Sequence, residues 1–236
     1  MANLDRFVVN ATAKSVRRKN VMLKIAVVVL TISVLLLLLF YGFASFADTL
    51  GNFTIKIGRE TDKTGITLSN DEAFTNPTNR INADAIEKMS HCSETWLPQD
   101  IDEIDGGHNG RDYIAHTFYL KNIGEVDVKY LAEIKIVEVE KSADEALRVK
   151  VYRNGESTLY AKKQKGLDIP EEGTTPFYSI DKVMSQQIDN FEVGEIDKYT
   201  IVVWLEGKDP ECIDDILGGR IHMEMQFKVI SEIKSA

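Results

Sequence analysis

The chain has 236 residues, 28% charged and 44% hydrophobic, with two cysteines and a formal net charge of −9 at pH 7. Arg6, Lys14, Arg17, Arg18, Lys19 and Lys24 against Asp5 give residues 1–47 a charge of +5, which leaves −14 on the other 189. A surface of that sign repels phosphate and excludes nucleic acid as a partner, while 189 residues suffice for one sizeable core.

The first predicted element follows those bases. Residues 25–47, IAVVVLTISVLLLLLFYGFASFA, carry no charged side chain over 23 positions. At about 1.5 Å per residue such a helix measures roughly 35 Å, enough to cross a hydrocarbon core of about 30 Å. The expected organisation is a short basic cytoplasmic segment at 1–24, a transmembrane helix (signal anchor) at 25–47 and an extracellular domain at 48–236. The basic flank keeps the N-terminus cytoplasmic. A cleaved signal peptide is the alternative, since Ser45 and Ala47 stand three and one positions before Asp48. The apolar run exceeds the roughly 7–15 residues of a removable segment, which favours retention.

Beyond the span, Phe53, Ile55 and Ile57 open a period-two pattern within six residues of Ala47, a tether of roughly 20 Å at most. Two stretches, NADAIEKMS and DKVMSQQIDNF, have spacings that allow two or three helical turns, neither well capped. YIAHTFYLKNIG reads as a strand ending in a turn at Asn122 to Gly124. Val126, Val128, Tyr130, Ala132, Ile134 and Ile136 form one strand face, after which Val137 and Val139 take the other parity, predicting a bulge near Ile136.

LRVKVYRNGESTLYAKK gives a hairpin whose two-residue turn is Asn154-Gly155. KYTIVVWLEG is apolar on both faces, as a central strand covered on both sides would be. In GGRIHMEMQFKVI the set Ile221, Met223, Met225, Phe227 and Val229 alternates with polar residues. About nine strands without strand-helix alternation predict a mainly β, two-sheet antiparallel sandwich.

Candidate chemistry is sparse. Cys92 and Cys212 both lie in the exported part, where a disulfide persists, and the expectation is that they pair. The stretch DIDEIDGGHNGRD, residues 100–112, holds five acidic residues, three glycines and a histidine. It fails as an EF-hand loop, because Ile104, Asp105 and Arg111 occupy ligand or glycine positions. Asp102, Asp105 and Asp112 are the candidates for an irregular calcium site, and a bridge from Cys92 to Cys212 would bring Asp209, Glu211, Asp214 and Asp215 toward them. The rival reading is a solvated acidic turn.

His91 and His108 flank this stretch and are the one pair expected to be able to share a transition metal. His116 has core parity, and His222 lies on the polar face of its strand. There is no H-E-x-x-H pair and no G-x-S-x-G elbow. Trp204 reads as core, whereas Trp96 stands alone.

The N-terminal apolar segment, HTFYLKNIGEVDVKYLAEIKI, LRVKVYRNGESTLYAKK and VGEIDKYTIVVWLEGKDPEC together resemble the TasA and camelysin-like exported proteins of Gram-positive bacteria, and more closely uncharacterised single-pass relatives. That resemblance implies a jelly-roll-like sandwich at the cell surface, with fibre or matrix assembly for the TasA branch and metal-dependent proteolysis for the camelysin branch. The long apolar anchor departs from the first and the lack of a zinc motif from the second, so no catalytic residue carries over.

The expected function is a membrane-anchored, cell-surface β-sandwich with a structural or interaction role and no catalysis. It would meet a surface or membrane protein, or further copies of itself, through exposed sheet edges. The alternatives are a metal-dependent surface hydrolase and an accessory subunit of a membrane complex packed through Gly42, Ala44 and Ser45.

Overall fold

The structure, a computed structural model of the chain, describes residues 21–22, 24–38, 53–58, 65–84, 86 and 89–233. It divides into two units, residues 1–50 and 51–236. In the first, residues 21–22 and 24–38 are helical with exposed apolar side chains. No helix among the described residues is long and apolar enough to cross a membrane. Residues 39–47 of the expected span lie outside the described residues.

The second unit is built from β1 (Phe53–Ile57), β2 (Ile66–Ser69), β3 (Arg80–Ala83), β4 (His91–Cys92), β5 (Gly106–Gly107), β6 (Tyr113–Asn122), β7 (Asp127–Val139), β8 (Leu147–Arg153), β9 (Glu156–Ala161), β10 (Thr175–Pro176), β11 (Lys182–Phe191), β12 (Ile196–Glu206) and β13 (Ile221–Ile233). One sheet has the order β11-β7-β13-β1-β3. The other runs β10-β9-β8-β12-β6-β2, with β4 added on β12 and β5 on β6. The protein is therefore mainly β, with two sheets in a sandwich-like arrangement. Most pairings are antiparallel, but β1–β13, β9–β10 and β4–β12 are parallel.

The core lies between the sheets because each long strand turns one parity inward. Met223, Met225 and Phe227 of β13 are buried, and so are Val128, Tyr130, Ala132 and Ile134 of β7. They meet Phe118 and Leu120 of β6, Val149 and Val151 of β8, and Tyr199, Ile201 and Val203 of β12. Phe227 stands edge-on to Phe118 and Tyr199, at centroid separations of 5.9 and 5.2 Å. Burial of this kind stabilises by about 25 cal/mol per Å² of apolar surface.

β12 has the two covered faces its sequence predicts. Its other parity, Val202 and Trp204, packs with Cys92, Ile101 and Ala115 in a second cluster on the back of the sheet. The predicted bulge is also present, one residue along. Met223 faces Ile136 while His222 faces Glu138, which leaves Val137 as the extra residue. The turn at Asn154 and Gly155 has φ of 51° and 85°, as a type I′ hairpin requires.

NADAIEKMS begins in strand β3, which holds Asn82 and Ala83, its residues 84, 86, 89 and 90 are not helical, and residues 85, 87 and 88 lie outside the described residues. Three further expectations need correction. DKVMSQQIDNF is strand β11 rather than helix, with Met184 and Ile188 turned into the core and Ser185 and Gln187 outward. His222 is buried, at 9% exposure, rather than solvated. It faces Glu138 across the bulged pair, and desolvation lowers its imidazole pKa, countered by the charges of Glu224 and Glu138.

The third correction is the disulfide. Cys92 and Cys212 are both free thiols. Cys92 is held in the cluster around Trp204, whereas Cys212 packs against a separate cluster of Ala143, Ala146 and Ile216.

Candidate functional site

The acidic stretch at 100–112 folds as a clasped turn. Ile101, 1% exposed, anchors it in the Trp204 cluster, and the Gly106–Gly107 strand pairs with Thr117 and His116 of β6. His108 ties the turn together: Nδ1 lies 2.9 Å from the Gly106 carbonyl and Nε2 lies 2.8 Å from that of Ile101. Carbonyl oxygens only accept, so a neutral ring donates to one of the two and only a ring protonated on both nitrogens donates to both.

Two of the three calcium candidates, Asp105 and Asp112, are engaged by different partners. Tyr119 donates to Asp105 Oδ1 at 2.6 Å, and burial, followed by this hydrogen bond, raises the phenol pKa. Asp112 Oδ1 accepts from the Ser90 backbone N–H at 3.0 Å, and Asp102 is half-buried. His91 packs beside Trp96, with ring centroids 6.2 Å apart. His116 is the core histidine that its parity predicts, 4% exposed, with Nε2 2.9 Å from Asn70 Oδ1. Burial, then the neighbouring His108, lowers its pKa to about 4, so the ring is neutral at physiological pH.

Among the described residues, the group that could hold a metal ion is Glu171, Asp209 and Glu211, whose carboxylate oxygens lie within 4.8 Å of one another. That spacing suits the oxygen ligands of a hard cation. Arg148 already supplies a positive charge there: one guanidinium nitrogen lies 2.7 Å from Asp209 Oδ2 and 3.9 Å from Glu171 Oε2. A hydrogen bond shared with Asp209, then burial, raises the Glu211 carboxyl pKa. The cluster is a three-carboxylate cage closed on an arginine. Asp209 and Glu211 were legible as acidic, but Arg148 and Glu171 carry no local signal that they would meet them.

A second polar assembly crosses the core. Tyr130 of β7 donates to Asp197 of β12, and the Tyr130 and Tyr199 hydroxyls lie 2.8 Å apart. Arg153 donates to Asp197 Oδ2 at 3.0 Å and Asn154 to Oδ1 at 2.6 Å, so a fully buried carboxylate is satisfied on both oxygens. Arg153, Glu156, Thr158, Tyr160 and Gln186 line a cavity of about 80 Å³ between β8, β9 and β11. Small-molecule pockets run to roughly 300–1,000 Å³, so this opening admits a few waters or one side chain. Sequence parity could have found Asp197, because it shares the core face of β12 with Tyr199, Ile201 and Val203.

On the outer face of the five-stranded sheet Glu133 is 3% exposed among lysines. Burial alone would raise its carboxyl, but bonds from Lys182 and Lys228 and the charge of Lys135 hold it below the usual range.

No protein-family model and no curated protein matches the chain. Two crystal structures of a β-glucosidase from Kluyveromyces marxianus, one in complex with glucose and one selenomethionine-labelled, superpose on 72% of this chain at 11% identity. Their TM-scores are 0.25 and 0.26, and the chain spans only 16% and 17% of the enzyme's length. A likeness of that degree carries no information on fold or activity.

Proposed function

We propose that this chain is a single-pass membrane protein with a cytoplasmic N-terminus, presenting a jelly-roll-like sandwich at the cell surface for assembly or partner binding rather than catalysis. The observation that carries the reading is strand β11. It pairs with β7 on one side and ends its sheet on the other, among the described residues. Irregular pairing near Lys182 and near Phe191 limits the regular edge to Met184–Ile188, enough for an added strand of about five residues. A surface or membrane protein, or another copy of this chain, fits that edge.

The jelly-roll reading draws on the way the chain alternates between sheets, from β6 to β7 to β8 and again from β11 to β12 to β13. The anchor reading draws on the 23 uncharged positions at 25–47 and on the exposed apolar side chains of helical residues 25–38. The test uses the full chain in cells. In a background with Cys92→Ala and Cys212→Ser, an impermeant maleimide should label a Ser157→Cys variant on intact cells and a Ser15→Cys variant only after lysis. The reverse pattern, or release of the protein by alkaline carbonate, would overturn the reading. Casein cleavage abolished by a chelator would replace the non-catalytic role with the hydrolase.

A further inference from the structure

We propose that the end of the sandwich at which the chain enters β1 lies on the bilayer surface and contacts lipid through Val137, Val139, Ile180 and Leu217. The inference rests on the membrane-anchor reading above. These side chains are 58%, 39%, 86% and 64% exposed.

They form one belt rather than four scattered residues. The Ile136 N–H donates to the Asp181 carbonyl at 2.8 Å, which sets the Ile180 turn beside Val137. Val139 pairs with Ile221, the Glu140 N–H donates to the Arg220 carbonyl, and Lys141 Nζ donates to the Leu217 carbonyl at 2.6 Å. Tyr178, 67% exposed, precedes Ile180 in the same turn, its N–H donating to the Val183 carbonyl at 3.2 Å.

Chain connectivity says what covers this belt. Phe53 is level with Met223, and Met223 with Ile136, so the belt lies two strands, about 10 Å, from the point of entry. Val139 and Ile221 project two residues, roughly 7 Å, beyond the level of Phe53. Only residues 48–52 separate Phe53 from the expected span, so this end stays within about 20 Å of the bilayer. Ile123 and Val193 are comparably exposed, at 60% and 50%, but belong to the opposite end, beside Asn122 and Asp127.

Charge does not drive the contact. Glu138, Glu140, Asp181, Asp214 and Asp215 stand among the apolar side chains against Lys141 and Arg220, all of them exposed, so the end is net acidic. The surface therefore fits the apolar and interfacial layer of a neutral bilayer rather than anionic headgroups.

The experiment is methyl NMR of the intact chain in zwitterionic nanodiscs carrying a trace of gadolinium-chelate lipid. Signals of Ile180, Val137, Val139 and Leu217 should broaden, while Ile123 and Val193 stay sharp. In a Val137→Asn, Ile180→Asn double variant the Leu217 signal should recover by about two-fold or more, because apolar burial holds the end down. If Leu217 stays equally broad in that variant, tethering alone explains the proximity and the proposal falls. It falls too if Ile180 stays sharp in a chain that co-elutes with the nanodisc, which leaves the anchor intact. A chain that does not co-elute removes the anchor and the proposal together, and broadening that appears only with anionic lipid overturns the apolar contact.

Discussion

Tyr130 and Asp197 belong to different sheets, and the hydroxyl of the first donates to the carboxylate of the second inside the core. Asp197 is fully buried, with Arg153 and Asn154 as its other partners. Asp197→Ala should therefore strand a guanidinium and a phenol, costing about 3 kcal/mol in urea unfolding. Tyr130→Phe removes one donor and should cost about 1 kcal/mol. A double variant whose cost equals the simple sum of the two would show that they act independently.

His116 makes a prediction for pH. Its folded pKa is depressed to about 4, so the folded state favours the neutral ring. The associated stability is present above about pH 6.5 and is lost as pH falls toward 4, by on the order of 3 kcal/mol. A His116→Gln variant should lack that component. Parallel stability–pH curves for the two proteins between pH 7 and 4 would refute it.

Arg148 and Asp209 are both buried and ion-paired. Arg148→Met should cost about 3 kcal/mol, because three carboxylates then face one another without a counter-charge. Calcium should raise the melting temperature of the variant and leave the wild-type protein unchanged, since the guanidinium blocks the cation position only in the latter. Equal calcium response in both would mean that metal and arginine coexist.

The thiols supply a fourth outcome. Burial, foremost, raises the pKa of both Cys92 and Cys212. Thiolate is the reactive form, so both should label slowly in the native protein and titrate fully in denaturant. The melting temperature should not change with reductant; a marked drop would restore the bridge.

What the sequence made legible follows from parity. The faces of β7, β12 and β13 and the bulge rest on whether neighbouring side chains point the same way, and the I′ turn on the positive φ that Asn154 and Gly155 accept, both of them local properties. β11 was not legible because Met184 and Ile188 are four residues apart, a spacing that satisfies both a helical and an extended face. Pairing with β7 decided between them. The cysteine partners were not legible either, since separation along the chain says nothing about which face of a sheet each thiol enters. The Arg148 cage joins residues from three distant segments, and only the fold brings them together.

The parallel pairing of β1 with β13 has a mechanical consequence. β1 is held on both flanks, by β13 along all five of its residues and by β3 along four. A pull on the chain ahead of Phe53, resisted by something gripping the far end of the domain, acts along the axis of β1. It loads the hydrogen bonds of both ladders together in shear, where a hairpin pulled from its open end would unzip them one at a time. β1 is thus placed to bear tension, and rupture requires a cooperative failure of two ladders rather than a gradual peeling.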